Sequence, residues 1–220
     1  MKHYVIGAGG TGGYLLAAVS RFVRDSTDLL IYDADVVERK NLSRQVFGLN
    51  DIGQYKAEIM AIRFGGTAFP VWFGLDTKVT PRSVLWGCPD NNACRMAILQ
   101  ACDRFNCVAL LGGNEYNSSE AVIYFPCWKG TKYDYRVIYP SSVSDNSGRP
   151  DNPCHSDATV EEKQQTVGAN FTAACFMLRL YFMWCDDRGR VTPQHNDNKP
   201  RSVHLRAEKA IMFEALGYDR

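Results

Sequence analysis

Residues 2–12 read Lys2-His3-Tyr4-Val5-Ile6-Gly7-Ala8-Gly9-Gly10-Thr11-Gly12, a short apolar run leading into a GxGGxG turn. The run predicts a buried strand and the glycines predict a tight turn into a helix. Gly7 makes the turn, Gly9 lets backbone amides approach a phosphate chain, and Gly12 lets the helix lie close to the strand. Leu29-Leu30-Ile31-Tyr32-Asp33 then supplies a second strand, ending in an acid 21 residues after Gly12 that can accept hydrogen bonds from a ribose. This is the layout of a nucleotide-binding βαβ unit, which would serve a dehydrogenase as well as an adenylating enzyme.

The segment Asp33-Ala34-Asp35-Val36-Val37-Glu38-Arg39-Lys40-Asn41-Leu42-Ser43-Arg44-Gln45 separates the two. It resembles the DxDxVxxxNLxRQ signature of the ThiF/MoeB/HesA family, ATP-dependent activators of ubiquitin-like proteins and sulfur carriers. Gly53-Gln54-Tyr55-Lys56-Ala57 resembles the family's lysine turn, and Asp90-Asn91-Asn92-Ala93-Cys94-Arg95 its DNxxxR motif after the fourth strand. The resemblance covers about the first 95 residues, with four motifs in the family's order.

The resemblance implies a nucleotide site made of Gly7, Gly9, Gly10, Gly12, Asp33, Asp35, Asn41, Arg44, Lys56, Asp90 and Asn91. In it Asp33 would hold the ribose hydroxyls, Asn41, Arg44 and Lys56 the phosphates of ATP, and Asp90 a magnesium ion. The residue types suit those roles. Arg44 offers a planar fork for phosphate oxygens, Lys56 stands at an expected helix start, and Asp90 ends a strand where a dehydrogenase has no use for a carboxylate. The plainer readings are that Asp90 caps the helix opening at Asn91 or Asn92, that Asp35 caps a turn, and that Arg44 and Lys56 are solvated charges. The implied reaction is attack of a carboxylate on the α-phosphate of ATP, which calls for amide donors, cations and a metal-binding carboxylate rather than a proton-abstracting base.

A cysteine could then take over the acyl group. Cys154, in Asn152-Pro153-Cys154-His155-Ser156, is the candidate, because it lies in a polar stretch beside a histidine. An incidental thiol in an exposed loop is the alternative. Cys127 resembles half of a zinc-binding pair in some relatives, but position 130 is Gly and there is no CxxC, so zinc is not expected. Relatives built as dimers often reach an arginine from an N-terminal helix into the partner's site. This sequence opens on its first strand, so Arg21 or Arg95 would have to serve, or the active unit differs.

The 220 residues suit one α/β domain, and 25 Lys plus Arg against 24 Asp plus Glu leave no global charge for nucleic acid or an anionic membrane. No apolar run reaches the roughly 20 residues of a membrane span and no leader precedes the first strand, so a cytoplasmic protein is expected. The eight cysteines read as reduced thiols, with Cys102, Cys107 and Cys175 as small core residues.

Periodicity predicts strands at 3–7, 28–33, 68–74, 83–87 and 107–112 and helices at 12–24, 53–64 and 91–104, a Rossmann-like, mainly parallel sheet with helices on both faces. Further strands are expected at 121–125 and 133–138, with a mobile loop at 140–159, a long helix at 160–185, a strand at 202–206 and a helix at 207–216. The expected function is adenylation of the C-terminal carboxylate of a small ubiquitin-like or sulfur-carrier protein by a homodimer, in the manner of the short ThiF-related proteins of mobile-element cassettes or bacterial ubiquitin-like operons. The alternatives are a non-catalytic ThiF-like partner subunit and a nicotinamide-dependent oxidoreductase.

Overall fold

The computed structural model describes residues 1–114, 119–144, 166–185 and 204–207. The first half alternates as the periodicity predicts: β1 (His3–Ile6), α1 (Gly10–Phe22), β2 (Leu29–Tyr32), α2 (Lys56–Phe64), β3 (Thr67–Phe69), β4 (Val84–Gly87), α3 (Asn92–Phe105) and β5 (Val108–Asn114). Then come β6 (Ser119–Tyr124), the single turns α4 (Tyr135–Ile138) and α5 (Ser141–Ser144), the long α6 (Val167–Trp184) and β7 (His204–Ala207).

The seven strands of the described residues form one sheet in the order β3-β2-β1-β4-β5-β6-β7. The first five are parallel, while β6 pairs antiparallel with β5 and β7 antiparallel with β6. The added strands thus extend one edge of a doubly wound sheet. Because both faces are covered, the central strands are apolar on both sides. Val5, Ile31, Val84, Trp86 and Leu110 face a cluster with Leu15 and Val19 of α1, Met60 of α2 and Met177 and Tyr181 of α6. Tyr4, Ile6, Leu85, Ala109 and Leu111 face α3 through Cys94, Ala97, Ile98 and Cys102. Each fully buried large side chain stabilises the fold by about 1.5–3 kcal/mol, which makes these two layers the main adhesive of the sheet.

Several expectations need correction. The strand read at 133–138 is the helical turn α4: Asp134 accepts a hydrogen bond from the Arg136 amide at 3.0 Å and caps it, so local capping overrides the alternation of Tyr133, Tyr135 and Val137. Cys102 and Cys107 are buried, whereas Cys175 is exposed, because it lies on the outer side of α6. The described part of the long helix begins at Val167, behind the Thr166 cap. Residues 145–159, 160–165 and 208–216, and with them most of the expected loop and the last helix, lie outside the described residues.

Strand order reverses between β1 and β4. At such a switch point the flanking connections run to opposite faces and leave a crevice at the carboxyl ends of the strands. Gly7 follows β1, Asp33 follows β2 and Asp90 lies three residues beyond the end of β4 at Gly87, so the first, second and fourth motifs meet at this crevice.

Candidate active site

The glycine turn is built by close approach. Gly7 has φ +89°, donates its N–H to the Tyr32 carbonyl at 2.9 Å, and would place a Cβ 2.7 Å from the Cys88 carbonyl oxygen. A Cβ on Gly12 would lie 1.8 Å from the Gly7 carbonyl oxygen, so any side chain there would force α1 off the strand. Helix α1 starts behind Gly9 with no side chain capping it and no acid in its first turn. Its first amides have no side-chain cap among the described residues, and with the positive end of the helix dipole they suit an anion.

Asp33 closes the other side of this turn. One oxygen accepts the Ala8 N–H at 2.7 Å and the other the Asp35 N–H at 2.9 Å. Burial pushes its carboxyl up to about 6; nearby Lys56 opposes the shift and Asp35 adds to it. Asp35 does not cap a turn through its side chain: its carboxylate pairs with Lys56 Nζ at 2.7 Å, and its carbonyl accepts the Lys56 N–H at 2.9 Å. Lys56 is 6% exposed, so the reading as a solvated charge fails for it.

Asp90 completes the group. Burial raises its carboxyl although the residue keeps contact with solvent, with Asp35 pushing the same way and Lys56 and Arg95 opposing. The cap of α3 belongs to its neighbour, since Asn91 accepts the Cys94 N–H at 2.8 Å. Asp90 is therefore left with a carboxylate not committed to the helix, while Asn91, buried, spends its oxygen on the cap and offers its NH2 to Asp90 at 3.4 Å.

Asn41 is also turned inward. Its side-chain oxygen accepts the Glu38 N–H at 2.8 Å and its carbonyl accepts the Gln45 N–H at 2.9 Å, holding the turn from which Arg44 projects. Arg44 is half-buried and has no ion pair among the described residues. Of the two alternative arginines, Arg95 stands in the first turn of α3 and bonds the Pro89 carbonyl at 3.2 Å, whereas Arg21 lies in the last turn of α1, at the end away from the glycine turn. Cys154 lies outside the described residues. Cys88, behind the turn, is held as a thiol by burial, and Cys127 is exposed.

Sequence reasoning missed Asn170. This residue of α6 lies against Gly10, where a Cβ would come within 2.5 Å of its carboxamide. The available signal was a polar residue amid the apolar positions of the helix.

Among the described residues no three His, Cys, Asp or Glu side chains converge as a ready-made metal cage. A magnesium ion carried by a nucleotide needs only one or two carboxylates, the phosphates and water filling the rest. Asp90, with Asp35 close enough to raise its carboxyl, fits that demand.

The ThiF family model matches residues 1–71. The ThiF-like segment thus carries the glycine turn, Asp33, Asp35, Arg44 and Lys56, and the DNxxxR piece lies beyond it. Among solved structures, "TcdA (CsdL)" is similar with TM-score 0.57 and 18% identity, over 81% of this chain and 83% of that one. MccB of E. coli with succinimide follows at TM-score 0.54 and 16% identity, over 80% of this chain and 53% of that one. MccB of E. coli with AMPCPP and selenomethionine MccA gives TM-score 0.53 and 17% identity, over 81% of this chain and 54% of that one. The chain therefore spans about half the length of MccB, and at these identities the likeness establishes the fold alone. No curated protein matches by sequence.

Proposed function

We propose that this protein is an ATP-dependent adenylyltransferase that activates the C-terminal carboxylate of a small ubiquitin-like or sulfur-carrier protein. The observation that carries the reading is the grouping of Asp33, the Asp35–Lys56 pair and Asp90 beside the uncapped start of α1, at the switch point of the sheet. A similar fold, MccB, has been seen with AMPCPP and MccA, which supports a nucleotide and a small polypeptide as substrates.

In this reading the carboxylate oxygen of the partner attacks the α-phosphorus, forming the acyl–phosphate bond as the bond to the pyrophosphate oxygen breaks. The nucleophile is already ionised at neutral pH, so no general base is required. The α1 amides and the cations of Arg44 and Lys56 offset the charge that builds on the departing pyrophosphate. Asp90 would hold the magnesium ion that enters with ATP, and that ion would add to the charge neutralisation. Asp33 accepts the ribose hydroxyls with the lone pairs its two backbone bonds leave over.

The reading includes a single domain over residues 1–220, a cytoplasmic location and a homodimer. Among the described residues no helix is long and apolar enough to cross a membrane. Cys154 is proposed to act after adenylation, its thiolate displacing AMP from the acyl adenylate. Cys154→Ala is then expected to keep adenylation and lose any thiol-sensitive adduct with the carrier.

The test is exchange of labelled pyrophosphate into ATP, run with a panel of small carrier proteins ending in Gly-Gly. Arg44→Ala and Asp90→Ala are each expected to lower exchange about 100-fold. Exchange at the parent rate in both variants would overturn the assignment, and binding of a nicotinamide dinucleotide without any binding of ATP would favour an oxidoreductase.

A further inference from the structure

Helix α6 buries one polar side chain against the glycine turn. Asn170 is 1% exposed, on a helix whose neighbouring buried positions are Ala169, Ala173, Ala174 and Met177. A carboxamide in such a place is tolerated only when its oxygen and its NH2 find partners. Its oxygen accepts the Thr11 hydroxyl at 3.3 Å and the Asn114 side-chain NH2, and its own NH2 donates to the Arg44 carbonyl at 3.4 Å. The partners lie 159, 56 and 126 residues away in sequence. They belong to the first turn of α1, the end of β5 and the arginine turn.

Gly10 is shaped to this contact. A Cβ there would fall 2.4–2.5 Å from all three heavy atoms of the carboxamide, so the glycine lets Asn170 lie flat on the start of α1. One side chain thus joins the segment that presents amides to the segment that presents a guanidinium. The arginine turn is closed on itself through Asn41 and Glu38 and packs on α1 through Gln45 beside Gly9 and Val46 beside Gly13; Asn170 adds hydrogen bonds from α6 to both segments at once.

We infer that Asn170 is a positioning residue for nucleotide binding, which fixes the Arg44 main chain relative to the α1 amides so that both reach one triphosphate. This rests on the nucleotide reading above and adds a residue that lies outside the ThiF-like segment. The adenosine end of the ligand, next to Asp33, does not depend on this link; the phosphates beyond the first one do. A misplacement of about an ångström in such a clamp is enough to weaken it severalfold to a hundredfold.

The experiment is a comparison of magnesium–ATP and AMP binding by calorimetry in the parent, Asn170→Ala, Arg44→Ala and the double variant, each shown to be folded by its near-ultraviolet dichroism. Asn170→Ala is expected to weaken ATP about tenfold and AMP less than threefold, and to add little once Arg44 is gone, because residues acting through one another are non-additive. If Asn170→Ala does not fold, Asn170→Ser, which places a small hydroxyl on the Cβ without reaching the Arg44 carbonyl, carries the same test. Equal weakening of ATP and AMP, or a loss that multiplies in full with that of Arg44→Ala, would overturn the inference and leave the nucleotide reading standing. A parent protein that binds neither ligand would instead overturn the nucleotide reading itself.

Discussion

At Asp33, burial and two backbone N–H bonds pull the proton equilibrium in opposite directions, and burial prevails: the carboxyl is pushed up to about 6. The acceptor role proposed for it in ribose binding would then depend on pH. Adenosine, which has no titrating phosphate, is expected to bind about tenfold more weakly at pH 5 than at pH 7.5, and Asp33→Asn to flatten the profile. A flat profile in the parent would contradict the ribose role. His3 bears on stability instead. Buried between Phe22, Trp86 and Tyr181, and accepting the Trp86 indole N–H at 3.2 Å, its pKa is lowered by burial from 6.5 to about 4. Between those values the unfolded chain binds a proton at His3 that the folded chain does not. The contribution of His3 is therefore full above pH 6.5 and is lost as pH falls through about 4, amounting to about 2–3 kcal/mol by pH 4.5. Asp33 has the opposite sign, since its raised folded value favours folding below about 6. Urea melts at pH 7 and 4.5 are expected to separate the two, with His3→Gln removing the acid-side loss; an unchanged pH dependence in that variant would contradict the assignment.

At the scale of elements, sequence and structure agree best where a motif is local. The glycine turn, Asp33, Lys56 and Asp90 sit at strand or helix ends because each motif carries its own turn chemistry. Agreement weakens where capping overrides a periodic pattern or where a partner from far along the chain decides the outcome. Tyr133 to Ile138 alternate as a strand would, yet Asp134 caps the Arg136 amide and accepts from Gly130 N–H at 2.7 Å, and the segment coils. Arg136 then reaches Asp103 of α3 at 2.9 Å and Asp134 at 2.8 Å, and donates to the Tyr124 hydroxyl of β6. Removing it would leave two largely buried carboxylates without that cation. Arg136→Ala is expected to cost about 2–4 kcal/mol in urea unfolding, against under about 0.5 kcal/mol for the exposed Arg104→Ala. Equal costs would show that the network contributes nothing beyond a surface charge. Asn170 was illegible for a different reason: its meaning lies in Thr11, Asn114 and Arg44, none of which is near it in sequence.

For the whole molecule, strand content and the parallel core could be read from hydrophobic runs, but the reversal of order between β1 and β4, which makes the crevice, could not, because apolar runs carry no neighbour information. The outer side of α6 exposes Val167, Phe171, Cys175 and Phe182, an apolar stripe at helical spacing. This stripe supports the homodimer of the proposed function. Sedimentation is expected to give about twice 24.7 kDa, and Phe171→Glu with Phe182→Glu to halve it. A parent that stays monomeric at high concentration would contradict the assembly without touching the chemistry. The chemistry itself is tested most directly by following atoms. A carrier protein whose C-terminal carboxylate is labelled with heavy oxygen is incubated with ATP, magnesium and the enzyme, the acyl adenylate is released to a thiol, and the nucleotide products are weighed by mass spectrometry. Attack on the α-phosphorus predicts that AMP leaves carrying one carboxylate oxygen and that pyrophosphate carries none; label in inorganic phosphate with formation of ADP, or no label in AMP, would contradict the account.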